Sequence, residues 1–143
     1  MEKFDGGALT LRETMDAVRQ FHEAFEIRNA PGPEAQPSAA TIALRHRLMA
    51  EENEEYLEAA EAGDLVEVAD ALGDMLYILC GTILQHGMQD VIEEVFREIQ
   101  RSNMSKLGAD GRPIHREDGK VMKGPNYTPP ALAPIVEAAL ERS

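Results

Sequence analysis

Through the first hundred residues, apolar positions return every three or four residues, the spacing of one face of an α-helix. Thr10 can cap a first helix, with Glu13 as its capping-box partner. Leu11, Met15, Val18, Phe21, His22 and Phe25 then keep helical spacing to an end near Ile27–Asn29. Residues 29–37 hold three prolines and a glycine and read as a loop. Ser38 can cap a second helix running to about Ala62, with Ile42, Arg45, Met49, Glu52, Tyr56 and Ala59 in register and Leu44, Leu48 and Leu57 beside them. Gly63 and Asp64 break it. Asp64 caps a third helix whose Leu65, Val68, Ala69, Leu72, Met75, Leu76 and Leu79 form one apolar face, ended by Gly87. A fourth helix is expected from about Met88 to Met104, with Val91, Ile92, Val95, Phe96 and Ile99 inward.

The pattern then changes. Residues 105–134 carry two Asp-Gly turn signals, with Arg112–Arg116 a candidate strand between them. A stretch of this length without helices is functional or disordered. A short helix over 130–141 closes the chain. The expectation is an all-α fold: one domain over 1–143, an antiparallel bundle of four to five helices with a helical core over 1–104 and a long C-terminal loop region.

Composition sharpens this picture. Hydrophobic residues are 43% of the 143, but aromatics are only 5% and tryptophan is absent, so the core rests on aliphatic side chains and methionine. One modest core is within reach of such a chain, and spare apolar helix faces would invite a partner subunit. Acids outnumber bases 26 to 14, a formal charge of −12, which argues against general binding of DNA or RNA. A nucleotide ligand remains open if a metal ion stands between it and the acids. The single cysteine, Cys80, permits no intramolecular disulfide and suits a reducing, cytoplasmic setting, where it reads as a buried structural thiol. The start, Met1–Thr10, lacks a secretory pattern, and the most apolar stretch, Met75–Leu84, is too short to span a bilayer.

The acids are not scattered. The second helix carries Glu51, Glu52, Glu54, Glu55 and Glu58; the third carries Glu67, Asp70 and Asp74 at offsets of three and four, with Tyr77 continuing the stripe. Like charges at these spacings destabilise a helix unless they are solvated or held by a cation. A tight turn at Gly63-Asp64 folds the helices antiparallel and sets Glu52 and Glu55 opposite Asp70 and Asp74. Converging carboxylates of this kind select Mg²⁺ or Mn²⁺, with Ca²⁺ also suited. A solvated acidic surface is the competing reading; two acidic helices in facing register across a short turn favour the metal.

Glu51-Glu52-Asn53-Glu54-Glu55, followed by Glu67-Val68-Ala69-Asp70, resembles the EExxE…ExxD signature of the MazG-like and phosphoribosyl-ATP pyrophosphohydrolase superfamily. Asp70-Ala71-Leu72-Gly73-Asp74 also resembles the superfamily's EELGD stretch, with Ala71 in place of a glutamate and Asp74 as the ligand. Which of Glu67, Asp70 and Asp74 bind metal beside Glu52 and Glu55 is therefore left open by the motifs. Asn103-Met104-Ser105-Lys106 and Gly124-Pro125-Asn126-Tyr127 resemble the C-terminal region of one MazG-like subgroup, so the likeness covers about residues 45–132. It implies an α-helical homodimer or dimer of dimers that hydrolyses a nucleoside triphosphate to monophosphate and pyrophosphate. Some relatives are dimeric dUTPases, so dUTP is the best single expectation for the substrate, in a role of nucleotide-pool cleaning. Phosphoribosyl-ATP hydrolysis and a non-catalytic, cation-binding helical module are the alternatives.

On this reading Mg²⁺ ions held by Glu52, Glu55, Asp70 and Asp74 bridge the phosphates, and Glu51 takes the proton from the attacking water. Lys106, Lys120 and Lys123, in a chain poor in lysine, form a candidate phosphate clamp, against the plainer reading of solvated loop lysines. Asn103, Asn126 and Tyr127 are candidate substrate contacts, although a helix end and a turn account for the two asparagines equally well. Tyr77 is placed to pack on the sugar or orient a carboxylate. Phe21, His22 and Phe25 suggest a base-stacking patch but read more readily as core.

Overall fold

The first three helices start at the capping residues marked in the sequence. The structure, a computed structural model, describes residues 7–143. Helix α1 spans Leu11–Ala24, and the Thr10 hydroxyl accepts from the Glu13 amide at 3.1 Å. Helix α2 spans Ala39–Ala62, where the Ser38 hydroxyl accepts from the Thr41 amide at 3.0 Å. Helix α3 spans Leu65–Gln85, where Asp64 accepts from the Glu67 amide at 3.1 Å. Each such cap stabilises its helix by roughly 1 kcal/mol. Gly63, left-handed at φ 68°, ends α2 and turns the chain into α3, so the two helices pack antiparallel; α1 packs on α3 as well. Helix α1 stops at Ala24, short of the expected Ile27–Asn29, because Glu26 takes a left-handed φ of 57°.

The loop after α1 is latched to the end of α3. The Ala30 amide donates to the Leu84 carbonyl at 3.2 Å, and the Glu34 amide to the His86 carbonyl at 2.8 Å. Gly87 closes this contact. Its φ is 66°, and a Cβ there would lie 1.9 Å from the Gly32 carbonyl oxygen, so no other residue fits.

Two compact units divide the described residues, the first ending at residue 89 and the second spanning 90–143. The buried apolar residues of the first include Met15, Val18, Ala59, Ala71, Cys80 and Leu84. The continuous apolar face of α3 lies largely outside this core. Leu65, Leu72, Leu76 and Leu79 are exposed, Leu65 to 80%, while Ala71, Cys80, Gly81, Leu84 and Gln85 are buried. Small side chains at Ala71 and Gly81 sit on the buried face, which leaves the leucines on the other side.

In the second unit α4 spans Ile92–Met104 and α5 spans Ala133–Arg142. Helix α4 starts later than the expected Met88 because a turn intervenes, the Met88 amide donating back to the Ile83 carbonyl at 3.0 Å. Val91 is buried, but Phe96, expected inward, is 65% exposed. Residues 105–131 are irregular yet ordered by their own hydrogen bonds. The Arg116 amide donates to the Lys120 carbonyl at 2.8 Å, the Met122 amide to Ile114 at 2.7 Å, and the Gly124 amide to Lys106 at 2.8 Å. The strand expected at Arg112–Arg116 reduces to one antiparallel bridge, His115 with Val121, because the turn at Asp118 and Gly119 (φ 85°) reverses the chain at once. The architecture is therefore all-α, with five helices among the described residues. None of these is long and apolar enough to cross a membrane. The expectation that Met1–Thr10 carries no secretory leader falls largely on residues 1–6, outside the described ones.

Candidate metal and nucleotide site

The antiparallel turn at Gly63 brings acids of α2 and α3 together. Glu52, Glu55 and Asp74 each offer a carboxylate oxygen, and the three atoms lie within 4.8 Å of one another. Two full charges at that separation repel by roughly 1 kcal/mol in water, and by more where water is excluded. Glu52 registers the strain. Its carboxyl is pushed above the usual range, first by burial, then by a hydrogen bond and charge from Glu55, and then by Asp74 and Asp70. One Glu52 oxygen, Oε2, is buried and has no hydrogen-bond partner. Three converging carboxylates, one of which also carries an orphaned buried acceptor, fit a divalent cation of the Mg²⁺ or Mn²⁺ type.

The other acids fall outside this trio. Asp70 acts on Glu52 only through its charge. Glu67 and Asp70 line a neighbouring acidic hollow of about 450 Å³ together with Glu55, Glu58 and Asp64. Glu51 forms a long, exposed ion pair with Arg47 at 3.9 Å. Of the three acids that the motifs left open on α3, Asp74 is thus the one that converges with Glu52 and Glu55.

The C-terminal residues named from sequence lie in the second unit. The Asn103 carbonyl accepts from the Lys106 amide at 3.1 Å in the last turn of α4. The Lys106 carbonyl meets Gly124, where a Cβ would come 2.3 Å from the Leu107 carbonyl oxygen; only glycine fits at the head of Gly124–Tyr127. Lys123 places its ammonium 4.8 Å from the Tyr127 ring centroid, a cation–π contact. The Lys120 amide donates to Asp118 at 3.0 Å, and Asn126 is exposed. Glu98 accepts from Arg101 and from the Ala131 amide, and together they hold its carboxyl down to about 2. Arg101 also donates to Thr128 at 2.6 Å, which ties the segment to α4.

One turn beyond Asp74, Tyr77 meets the edge of Phe21, ring centroids 5.7 Å apart, and Phe21 packs on Phe25 at 4.5 Å. The core reading holds for His22, which is 2% exposed, but not for Phe21 at 39% or Phe25 at 67%. Two polar residues of this region, Arg45 and Gln85, received no functional reading from sequence. Both are buried. The one available signal was a charged residue at an apolar register position of α2; for Gln85 the sequence offered none.

A family described as phosphoribosyl-ATP pyrophosphohydrolase matches residues 18–103 of the chain. A crystal structure from Exiguobacterium sp. 255-15, put forward as an NTP pyrophosphohydrolase, is 28% identical, spans 90% of this chain and 94% of its own, and superposes with a TM-score of 0.46. No curated protein matches the sequence.

Proposed function

The chain belongs to the phosphoribosyl-ATP pyrophosphohydrolase family, and from that premise we propose that it hydrolyses a nucleoside triphosphate, dUTP first among them, to the monophosphate and pyrophosphate. The observation that carries this reading is the carboxylate trio Glu52, Glu55 and Asp74, with its orphaned Glu52 oxygen. These residues would hold Mg²⁺, with Asp70 and Glu67 adding negative charge nearby. The ion, when bound, neutralises the phosphates and the charge that develops on the leaving group. Water attacks the α-phosphorus in line, the bond to the bridging oxygen between the α- and β-phosphates breaks, and pyrophosphate departs with that oxygen. Glu51, beside the trio in sequence and not part of it, accepts the proton of the attacking water. Lys106, Lys120 and Lys123, with Asn103, Asn126 and Tyr127, are the proposed phosphate and substrate contacts, and Tyr77 the contact nearest the sugar.

The exposed leucines of α3 support a homodimer or dimer of dimers. Nothing favours nucleic acid or a membrane as partner, and a cytoplasmic location is proposed on the free, buried Cys80. A second reading, hydrolysis of phosphoribosyl-ATP, is supported by the family description itself. Pyrophosphate release should be measured on dUTP, other canonical and modified (d)NTPs and phosphoribosyl-ATP, each with Mg²⁺, Mn²⁺ or EDTA. Metal-dependent release from one or a few nucleotides is the expected result. Release from phosphoribosyl-ATP alone would overturn the dUTP assignment. Silence across the panel from a folded protein would leave a non-catalytic, cation-binding module.

A further inference from the structure

A cavity of about 280 Å³ lies in the first unit, lined by Phe21, His22, Arg45, Leu48, Tyr77 and Gln85 among others. We propose that it receives the nucleobase of the substrate and reads its Watson–Crick edge, Arg45 donating and Gln85 accepting. The inference rests on the nucleotide reading above and extends it to the groups that recognise the base.

Arg45 is only 7% exposed, yet no carboxylate among the described residues pairs with it. Its guanidinium donates to the Thr82 hydroxyl and to the Ile78 carbonyl, each at 3.1 Å, both neutral acceptors. Burying a guanidinium without a counter-charge is unfavourable, and such a group marks a place where a ligand supplies an acceptor. Gln85 is the complementary feature. It is 6% exposed, and its amide nitrogen donates to the Arg28 carbonyl at 3.2 Å, which fixes the orientation of the amide. Its oxygen, Oε1, is buried without a partner. A cavity bordered by a donor in search of an acceptor and an acceptor in search of a donor matches a base edge, where the two alternate.

The walls fit the same ligand. Phe21 and Tyr77 present aromatic surface of the kind on which bases stack. Gly81 lets Arg45 and His22 lie close against α3, because a Cβ there would stand 3.0 Å from both Arg45 Nη2 and His22 Nε2. The His22 ring is held by Asn29, Nδ1 to Oδ1 at 2.6 Å, with Nε2 on the Gly81 side.

Position along the helices completes the case. Tyr77 follows Asp74 by three residues and Leu48 precedes Glu52 by four, so the cavity begins about one turn, roughly 5 Å, from the carboxylate trio on both helices. A nucleotide with its phosphates at the trio extends its base into the cavity along the same furrow.

A ring nitrogen methylated on that edge loses its proton and carries a methyl group toward Gln85. The test uses α,β-imido-dUTP and α,β-imido-dGTP, each against its N3- or N1-methylated counterpart, with tripolyphosphate as the baseless probe. Binding to the full chain is followed by calorimetry in Mg²⁺. Methylation is expected to weaken binding about tenfold or more, and Gln85→Leu to bring the methylated and unmethylated pair within about threefold of each other. Phe21→Ala, at a half-exposed position that folding tolerates, is expected to weaken both imido nucleotides about tenfold and to leave tripolyphosphate unchanged. Equal affinity for methylated and unmethylated nucleotides, or binding no tighter than tripolyphosphate, would overturn the proposal. Hydrolysis separates the two readings: pyrophosphate release at equal rates from dUTP and N3-methyl-dUTP keeps the reaction and removes the edge reading. Discrimination in binding without any release does the reverse.

Discussion

The two units differ in what surrounds their most constrained charges. In the second, the charges that fasten the irregular segment have partners. Glu98 holds Arg101, Arg116 holds Asp118, and Lys123 lies over Tyr127. In the first, among the described residues, Glu52, Glu55 and Asp74 converge and Arg45 is buried with no carboxylate paired to it. Charges that are paired hold a segment in shape; charges left opposed or alone store free energy that a ligand releases. The contrast separates residues that build the protein from residues that await something.

The hardest blow to this contrast falls on the trio. Glu55→Gln is expected to lower turnover to background, a fall of roughly 10³-fold, with far-UV circular dichroism unchanged; retained activity would remove the trio from the mechanism. Next comes stability. Mg²⁺ at a hundred times its dissociation constant should stabilise the fold by about 2.7 kcal/mol, raising Tm by roughly 5–10 °C. Glu52→Gln should abolish that gain while raising Tm of the metal-free protein, because it relieves the repulsion. A metal-free Tm that falls instead would show that the acids are not in conflict.

Smaller effects probe the paired unit. Gly124→Ala should destabilise the 105–131 segment by about 1–3 kcal/mol, since a methyl group would press on the Leu107 carbonyl; hydrogen exchange at Lys106 and Gly124 reads it out. The smallest is a pH effect at Glu98. Its folded pKa, about 2, lies below the ordinary 4.5, so its contribution is complete above 4.5 and is lost as pH falls toward 2. Acid protease cleavage of the segment should therefore rise across that window in the wild type and be pH-independent in Glu98→Gln.

Much of this was legible from residues alone. The three capped starts followed from Thr10, Ser38 and Asp64, because a cap is a local contact three residues long. The convergence of α2 and α3 followed from acid spacing and one glycine turn. The buried face of α3 did not. Periodicity places residues on faces, but it does not say which of two apolar faces meets the rest of the same chain, and the leucines outweighed Ala71 and Gly81 in the pattern. The cavity that Arg45 and Gln85 both line was equally hidden, since the two are forty residues apart and neither belongs to a motif. That Asp74, and not Asp70, converges with Glu52 and Glu55 also needed coordinates, because a single turn of helix separates them.

The loop between α1 and α2 is fastened at Ala30 and Glu34 to the end of α3, with Gly87 closed on Gly32. That fastening sets how far α1, and with it Phe21, stands from Tyr77. A change of one or two residues in loop length would therefore widen or narrow the aromatic aperture without touching a single acid. On the proposed reading of the cavity, the length of this loop would adjust which bases are admitted without altering the acids that hold the metal.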